Sequence, residues 1–340
     1  MKWIDFEAHF CTQTVVDYLI KRDCAPNFIK AAMPGSYTLQ CTDRVSMLQS
    51  EHFLQQILNV GDERIAWMDK NNVDVQILSL SAPSGIDCID NPDAVELARE
   101  SNDELLQAIQ KYPLRFKGFA AISSVDVKAG VKELERSITQ LGFVGWLTYS
   151  NLGKGQYLDD KKFWPLLETA ESLNVPIFLH PTIPMIPEFE KYGLALAGQA
   201  MGCTFETALC LMRMILGGVF DQFPKLKIIM GRLGEAMPFL MERLDFLFKN
   251  PGFSPGDCPS LKRLPSQVLR ENVYAGNSAR FYKPALDFVI EAMTPDHLLF
   301  ASDYPYVPLQ KTMEFIQNAG LSTEVIEKIG FKNAQIFNIT

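Results

Sequence analysis

Four side chains able to bind a metal ion stand at the ends of apolar stretches in this sequence. Glu7 and His9 close the first stretch. His180 closes one in the middle of the chain, and Asp303 closes the last. Only 4 histidines occur in 340 residues, and two of them hold these positions. Two imidazoles and two carboxylates suit Zn²⁺ or Mn²⁺ and leave coordination positions open for water or substrate. The sequence therefore predicts an enzyme with one divalent metal.

Each of these residues also has a structural interpretation. A histidine that precedes a proline, like His180, is often only a hydrogen-bond partner, and Asp303 could cap the following turn. Glu7 could pair with an arginine. The structural interpretations are independent of one another, whereas a metal site explains all four positions together. The spacing of Glu7 and His9 also places both side chains on the same side of a strand.

The other histidines and the cysteines are predicted to be structural. His52 lies in a charged, loop-like stretch, and His297 opens the last strand at the end opposite to Asp303. The 7 cysteines include no C-x-x-C pair, which favours a reduced, cytoplasmic setting. Cys11 follows His9 closely and could act as a ligand or nucleophile, but a thiol in such a place is more often a small buried packing residue.

Eight short apolar runs, alternating with amphipathic stretches, must position these residues. Their number and alternation predict parallel strands closed into a (β/α)8 TIM barrel, in which the C-terminal strand ends meet around one mouth. An open doubly wound sheet is the alternative, but no G-x-G-x-x-G follows the first strand. The predicted strands are 2–7, 74–80, 117–122, 143–148, 175–180, 226–230, 272–276 and 297–302.

Two insertions interrupt the alternation, at about 10–50 after strand one and 181–205 after strand five. Long loops on the catalytic face are usually lids or subunit contacts. No internal repeat or linker is visible, so residues 1–340 are predicted to form a single barrel domain.

Composition restricts partners and location. The chain is 47% hydrophobic and 21% charged, as is typical of globular proteins. Its net charge of −8 argues against nucleic acid or an anionic membrane as partner. No signal peptide is visible, and no run approaches the ~18 uncharged apolar residues of a membrane span. We therefore expect a cytoplasmic protein that acts on a small molecule.

The chain resembles the amidohydrolase superfamily. Within it, the resemblance is to the decarboxylase branch that includes γ-resorcylate, 2,3-dihydroxybenzoate, 5-carboxyvanillate and aminocarboxymuconate-semialdehyde decarboxylases. The motifs occur in order along about the whole chain. They are Glu7-Ala8-His9-Phe10, Gly61-Asp62-Glu63-Arg64-Ile65-Ala66-Trp67-Met68-Asp69, Lys111-Tyr112-Pro113-Leu114-Arg115-Phe116, Leu141-Gly142-Phe143-Val144-Gly145, Leu179-His180-Pro181, Gly234-Glu235-Ala236-Met237-Pro238-Phe239 and Ser302-Asp303-Tyr304-Pro305.

The resemblance implies one divalent metal, Zn or Mn, held by Glu7, His9, His180 and Asp303, with no organic cofactor. It also implies non-oxidative decarboxylation of a small aromatic hydroxy-acid, the substrate chelating the metal through its carboxylate and the ortho hydroxyl. Protonated Asp303 would donate to the ring carbon before CO₂ leaves. The alternatives are a metal-dependent hydrolase of a lactone or amide, a hydratase, or a barrel that has lost its site and only binds partners.

The sequence departs from the family at Arg232. Relatives have histidine in a G-H-x-G-E context, whereas this chain has Gly231-Arg232-Leu233-Gly234-Glu235. Arginine cannot shuttle a proton, but it can clamp a carboxylate. Three interpretations stay open: Asp303 alone transfers the proton, Arg232 binds a second anionic group, or Arg232 pairs with Glu235 and activity is altered. Arg232, Glu235 and Asp303 are the candidate catalytic residues.

Further candidates for substrate binding lie near the strand ends. Asn277 and Arg280 follow strand seven, where they could hydrogen-bond substrate oxygens. Trp146, Tyr149 and Tyr306 lie near the predicted mouth, where they would contact an aromatic ring or simply pack in the wall.

Arg243 is the last candidate. It matches an arginine that in relatives reaches into a neighbouring subunit's pocket, which implies a homodimer or homotetramer. The alternative is a surface charge paired with Asp245 or Glu242.

Overall fold

The computed structural model describes residues 1–81, 86–153, 155–250 and 259–339. Cys258, one of the seven cysteines, lies outside these ranges. The described part of the chain has eleven strands. They are β1 (Ile4–Phe10), β2 (Asn27–Lys30), β3 (Tyr37–Gln40), β4 (Ser46–Gln49), β5 (Val75–Leu80), β6 (Phe116–Ala121), β7 (Gly145–Tyr149), β8 (Ile177–His180), β9 (Ile228–Met230), β10 (Val273–Gly276) and β11 (Leu298–Leu299).

The eight strands β1 and β5 to β11 form one parallel sheet in chain order. The segment after β11 returns to β1 and closes the sheet, with a parallel bridge between Ala8 and Tyr304. The backbone N–H of Asp303 donates to the Glu7 carbonyl at 2.8 Å, and that of Phe6 donates to the Phe300 carbonyl at 2.9 Å. The predicted (β/α)8 barrel and its eight strands are confirmed.

Helices follow the barrel strands, and several start with a proline or a side-chain cap. Asp126, for example, caps one helix by accepting from the amides of Lys128 and Ala129. No described helix is long and apolar enough to cross a membrane. The helices are α1 (Gln13–Lys21), α2 (Glu51–Leu58), α3 (Asp62–Lys70), α4 (Asp93–Lys111), α5 (Val127–Thr139), α6 (Trp164–Ser172), α7 (Pro187–Glu190), α8 (Leu194–Ala197), α9 (Gly202–Leu216), α10 (Val219–Gln222), α11 (Gly231–Gly234), α12 (Met237–Lys249), α13 (Pro265–Asn272), α14 (Lys283–Met293), α15 (Leu309–Gln317) and α16 (Thr323–Gly330).

Apolar side chains fill the barrel below the mouth. One or two residues from each barrel strand form a buried cluster, among them Phe6, Phe119 and Phe178. The C-terminal segment joins this cluster through Phe337, whose ring lies 5.8 Å from that of Phe6 and 4.9 Å from that of Tyr274. Because this packing closes one end of the barrel, the polar side chains that could bind a metal or a substrate lie at the other end.

The two insertions lie over the open end. The first contains an antiparallel sheet, β2 to β4, that the sequence did not predict, and it brings Met47 to the mouth. The second contributes Ile183 and Leu194. The prediction that His52 lies in a loop is wrong, because His52 lies in the helix α2. This helix begins after Ser50, whose side chain accepts a hydrogen bond from the amide of Phe53.

A β-bulge in β1 decides which side chains face the barrel mouth. Asp5 pairs with Gln76 and Ala8 pairs with Leu78, so β1 has one extra residue between these pairs. A bulge reverses the alternation of side chains along a strand. As a result, Asp5 points to the helix side and bonds Gln76, whereas Glu7 turns to the mouth together with His9.

Candidate metal centre and active site

The structure brings Glu7, His9, His180 and Asp303 together. One ligand atom from each lies within 4.8 Å of all the others, and all four residues are buried. Nε2 of His9 is 3.3 Å from Oδ1 of Asp303, and Nε2 of His180 is 3.5 Å from Oε1 of Glu7. Residues separated by almost 300 positions thus meet because strands one, five and eight of the barrel end at the same mouth.

The imidazoles are oriented by bonds at their other nitrogen. Nδ1 of His180 lies 2.9 Å from the Pro181 carbonyl, which only accepts, so Nδ1 carries the proton and Nε2 keeps its lone pair. Nδ1 of His9 lies 2.9 Å from the hydroxyl of Ser79, which itself donates to the Ala8 carbonyl. Such outer contacts fix the tautomer and ring direction of metal-binding histidines.

The donor atoms fit a metal ion. Nε2 of His9, Nε2 of His180 and Oδ1 of Asp303 are buried without a hydrogen-bond partner, and Oε1 of Glu7, the oxygen nearest both imidazoles, accepts from Arg232. Each unpaired buried polar atom costs about 1–3 kcal/mol. One divalent ion coordinated by two nitrogens and two carboxylates would satisfy the three unpaired atoms, and this donor set suits Zn²⁺ or Mn²⁺.

Arg232 contacts two of these four residues. Its Nη2 donates to Oδ2 of Asp303 at 2.7 Å, and its Nη1 donates to Oε1 of Glu7 at 3.1 Å. Glu235, the partner that the sequence suggested, is farther away at 4.0 Å. Arg232 therefore pairs primarily with the two predicted ligand carboxylates.

Burial and this arginine set the charges of the site. Burial would raise the pKa of Asp303, but Arg232 and His9 outweigh it and hold that pKa below its ordinary value. Burial raises the pKa of Glu7 even though Arg232 opposes the shift. Burial, together with His9 and Arg232, holds the pKa of His180 well below its ordinary value. Asp303 is thus ionised and His180 neutral at neutral pH, the forms that bind metals, whereas Glu7, whose pKa is raised to about 8, must lose its proton when it binds one.

The turn that carries Arg232 has a strained backbone. Arg232, Leu233 and Glu235 have positive φ angles of 55°, 59° and 52°, and Asp303 has one of 64°. Gly231 lies so close to Glu7 that a Cβ atom there would be 2.6 Å from Oε2. Non-glycine residues in such conformations persist where the surrounding structure holds them, and they cluster at functional sites.

A small cavity opens beside the four residues. The predicted residues His180, Arg232, Asp303, Tyr149 and Tyr306 all line it. The Tyr149 ring lies 5.4 Å from that of His180, and the Tyr306 ring 5.7 Å from that of His9.

Other predicted residues lie outside this cavity. Asn277 accepts from the amide of Ala301. Arg280 donates to Thr204 and stands 4.0 Å from Glu235. Trp146 is buried in the packing around the barrel. Their proposed contacts with substrate remain predictions.

Arg243 is exposed on α12 and lies over the Phe246 ring at 5.3 Å. Its suggested partner Asp245 is bonded instead by Ser266 and Lys249.

Two contributors to the site were missed. Ser79 orients His9, and its position opposite His9 in β5 was readable only once the register was known. Met47 reaches the cavity from an insertion whose fold was not predicted. Cys11, by contrast, is buried, and burial raises the pKa of its thiol to about 12, which supports the packing interpretation.

Comparison with known proteins defines the class. Residues 52–337 match the family described as Amidohydrolase, and the chain belongs to this family. Within it, the chain belongs to the decarboxylase branch, as the motifs predict.

The similar proteins include several decarboxylases. The chain is 35% identical to γ-resorcylate decarboxylase of Polaromonas sp. (strain JS666) over 286 residues, covering 82% of this chain and 87% of that one. The crystal structure of 5-carboxyvanillate decarboxylase from Sphingomonas paucimobilis superposes with a TM-score of 0.87 at 32% identity, covering 100% and 99%.

A dihydroxybenzoic acid decarboxylase from Polaromonas sp. JS666, with bound manganese and the inhibitor 2-nitroresorcinol, gives a TM-score of 0.84 at 30% identity, covering 99% and 97%. These similarities confirm the predicted carboxy-lyase class and do not favour a hydrolase or hydratase.

Proposed function

We propose that this chain catalyses the non-oxidative decarboxylation of a small aromatic acid with a hydroxyl group ortho to its carboxylate. The observation that carries the proposal is the group of four buried ligand atoms, three of them without a hydrogen-bond partner, beside a cavity lined by aromatic side chains. A bound Zn²⁺ or Mn²⁺ would polarise the phenol and carboxylate oxygens and stabilise the negative charge that develops on the substrate. This chemistry needs no organic cofactor.

Asp303 is the proposed proton carrier. It is ionised beside Arg232, so it brings no proton of its own. The substrate phenol supplies one: its O–H bond breaks and the proton moves to the Asp303 carboxylate. Asp303 then protonates the ring carbon that bears the carboxylate, and the electrons of the C–C bond return to the ring as CO₂ leaves. The phenolate product takes a proton from water on release.

The cavity walls suit a flat anionic substrate. Tyr149, Tyr306 and His180 offer ring edges and faces to an aromatic ring. Tyr306 is held in place by a 3.0 Å hydrogen bond between its hydroxyl and that of Ser81. Arg232 carries a permanent positive charge among the described residues lining the cavity, but it is paired with Asp303 and Glu7, so a bound metal would supply the attraction for a carboxylic acid.

We also propose that the chain works as one barrel domain in a homodimer or homotetramer. Large apolar side chains are exposed on α9 and α12, including Phe205, Leu209 and Phe239. Arg243 is exposed on the same helix as Phe239, in reach of a neighbouring subunit. A reduced, cytoplasmic setting agrees with the lack of a disulfide among the six described cysteines. Light scattering after gel filtration would measure the oligomer.

The test is turnover of hydroxybenzoates by protein loaded with Mn²⁺ or Zn²⁺. Acids with the hydroxyl ortho to the carboxylate should release CO₂ and the matching phenol, and their meta and para isomers should not. Asp303→Asn should abolish turnover. Glu206→Gln is the control, since Glu206 is equally buried but bonded to Asn151 and Tyr157 outside the cluster. Failure with every ortho acid, together with hydrolysis of lactones or amides, would contradict the proposal.

A further inference from the structure

The guanidinium of Arg232 contacts the same carboxylates that are proposed to hold the metal. It bridges Asp303 at 2.7 Å and Glu7 at 3.1 Å, and the arginine is only 4% exposed. Hydrogen bonds between charged groups are about twice as strong as neutral ones, and they are strongest away from water. Arg232 therefore shares its single positive charge between two of the four candidate ligands.

The position of this charge is fixed by the backbone. Arg232 and Leu233 both have left-handed conformations, and the amide of Arg232 donates to the hydroxyl of Ser278 at 3.0 Å. Gly231 packs against Oε2 of Glu7 with no room for a side chain. Because the turn is tied to Ser278 and Glu7, the guanidinium cannot move far from the carboxylates without a change in the arginine side chain itself.

A divalent ion among the same four residues would lie within a few ångströms of a permanent positive charge. Like charges at such distances repel each other by several kcal/mol even at the effective dielectric of a protein surface, about 20. The metal must also take Oε1 of Glu7, the oxygen nearest His180, which Arg232 now binds. Both effects oppose metal binding, and neither operates when a neutral side chain holds position 232.

We propose that Arg232 is an internal counter-ion that competes with the divalent metal for Glu7 and Asp303. It stabilises the two carboxylates when no metal is bound and weakens the affinity for the metal. The inference rests on the proposed metal site but not on the identity of the substrate. It adds a role that was not among the three interpretations of Arg232 left open by the sequence.

The experiment measures metal affinity in protein stripped of metal, by competition of Mn²⁺ and Zn²⁺ with a coloured chelator. Arg232→Gln should bind both metals at least about ten-fold more tightly than the wild type. Arg232→Lys, which keeps the charge but loses the two-pronged contact, should lie between them. Arg280→Gln is the matched control: it removes a nearby positive charge that contacts Glu235 but neither Glu7 nor Asp303, and its affinity should stay within about three-fold of the wild type.

Thermal unfolding gives a second readout. Stripped Arg232→Gln should melt below the stripped wild type, because two carboxylates then face each other without a counter-ion, and added metal should raise its melting temperature more. If the glutamine variant does not fold, the lysine variant against wild type decides. Equal or weaker metal affinity in the folded variant overturns the inference, and so does the absence of saturable binding in any form.

These outcomes are distinguishable from failure of the proposed function. Tighter metal binding by Arg232→Gln without turnover of any acid by the wild type would support the counter-ion and reject the decarboxylase. Turnover by the wild type with equal metal affinity in all variants would support the decarboxylase and reject the counter-ion.

Discussion

Two carboxylates on β1, Asp5 and Glu7, are equally buried but have opposite surroundings. Both oxygens of Asp5 are saturated: one accepts from the amides of Glu7 and Ser302, the other from Gln76 and the Ser302 hydroxyl. Glu7 has one oxygen on Arg232 and another with no hydrogen-bond partner. A saturated carboxylate stabilises the fold, whereas an unsaturated one is available to a ligand.

The neighbours of the two carboxylates differ in the same way. Gln76 passes the Asp5 network on to Arg64, which also donates to the carbonyl of His9 and stacks on the Tyr304 ring. This network ties β1, β5 and α3 to the closing segment of the barrel. The cluster around Glu7 instead joins β1, β8 and the closing segment, through Arg232 and through atoms that an ion would satisfy. One bulge in β1 thus separates Asp5, a carboxylate that belongs to the stabilising network, from Glu7, a carboxylate that belongs to the candidate metal site.

The largest expected effect is the loss of metal binding and activity when Glu7 is replaced. Glu7→Gln removes a charged ligand, so metal affinity should fall and kcat/KM for an active ortho-hydroxy acid should drop at least about 1,000-fold, the equivalent of several kcal/mol of metal catalysis. The stability of the stripped protein should change little. Glu206→Gln serves again as the buried control. Retained metal affinity in Glu7→Gln would exclude Glu7 as a ligand.

For Asp5→Asn we expect a loss of stability with little loss of metal affinity. The amide replaces two acceptor sites with donors that face the donors of Gln76 or Ser302, which should cost about 2–4 kcal/mol of unfolding free energy. Metal affinity should fall less than about ten-fold, since Asp5 contacts none of the candidate ligand atoms. Urea unfolding and metal competition, measured on both variants, check the comparison. If Asp5→Asn and Glu7→Gln each lost both unfolding free energy and metal affinity, the hydrogen-bond network of Asp5 and the cluster around Glu7 would not be separate.

The sequence predicted the barrel well because several buried strands are continuous apolar runs and the strands alternate with helical patterns. It also predicted which residues meet, since strand ends share one mouth. It did not predict the bulge, because strict alternation places Asp5, Glu7 and His9 on one side. The contacts of Arg232 were equally out of reach, since they depend on the closure of β1 against the segment after β11. The short strands β2 to β4 are half-exposed and carry no clear pattern.

A smaller effect concerns a third kind of buried carboxylate. Asp87 accepts from the Thr148 hydroxyl through one oxygen, while the other has no hydrogen-bond partner, and no cation contacts it among the described residues. Burial raises its pKa from 3.8 to about 7, against the effect of Thr148. A carboxyl whose pKa is higher in the folded state stabilises the fold below its unfolded pKa, and that contribution is lost as the pH rises through the folded pKa.

Asp87→Asn should therefore remove a pH dependence and not simply shift stability. Relative to the variant, the wild type should lose about 1–3 kcal/mol of unfolding free energy between about pH 4 and pH 7, and the difference should stay constant above that. Urea unfolding at half-unit intervals of pH measures it. Asparagine can also lower the unfolding free energy by an amount that does not depend on pH, for example through a weaker hydrogen bond to Thr148. Such an amount is the same at every pH, so it does not affect how the difference between wild type and variant changes with pH. A flat difference across this window would mean that Asp87 is already ionised, and that burial in this barrel does not raise the pKa of this carboxyl as it does those of Asp5 and Glu7.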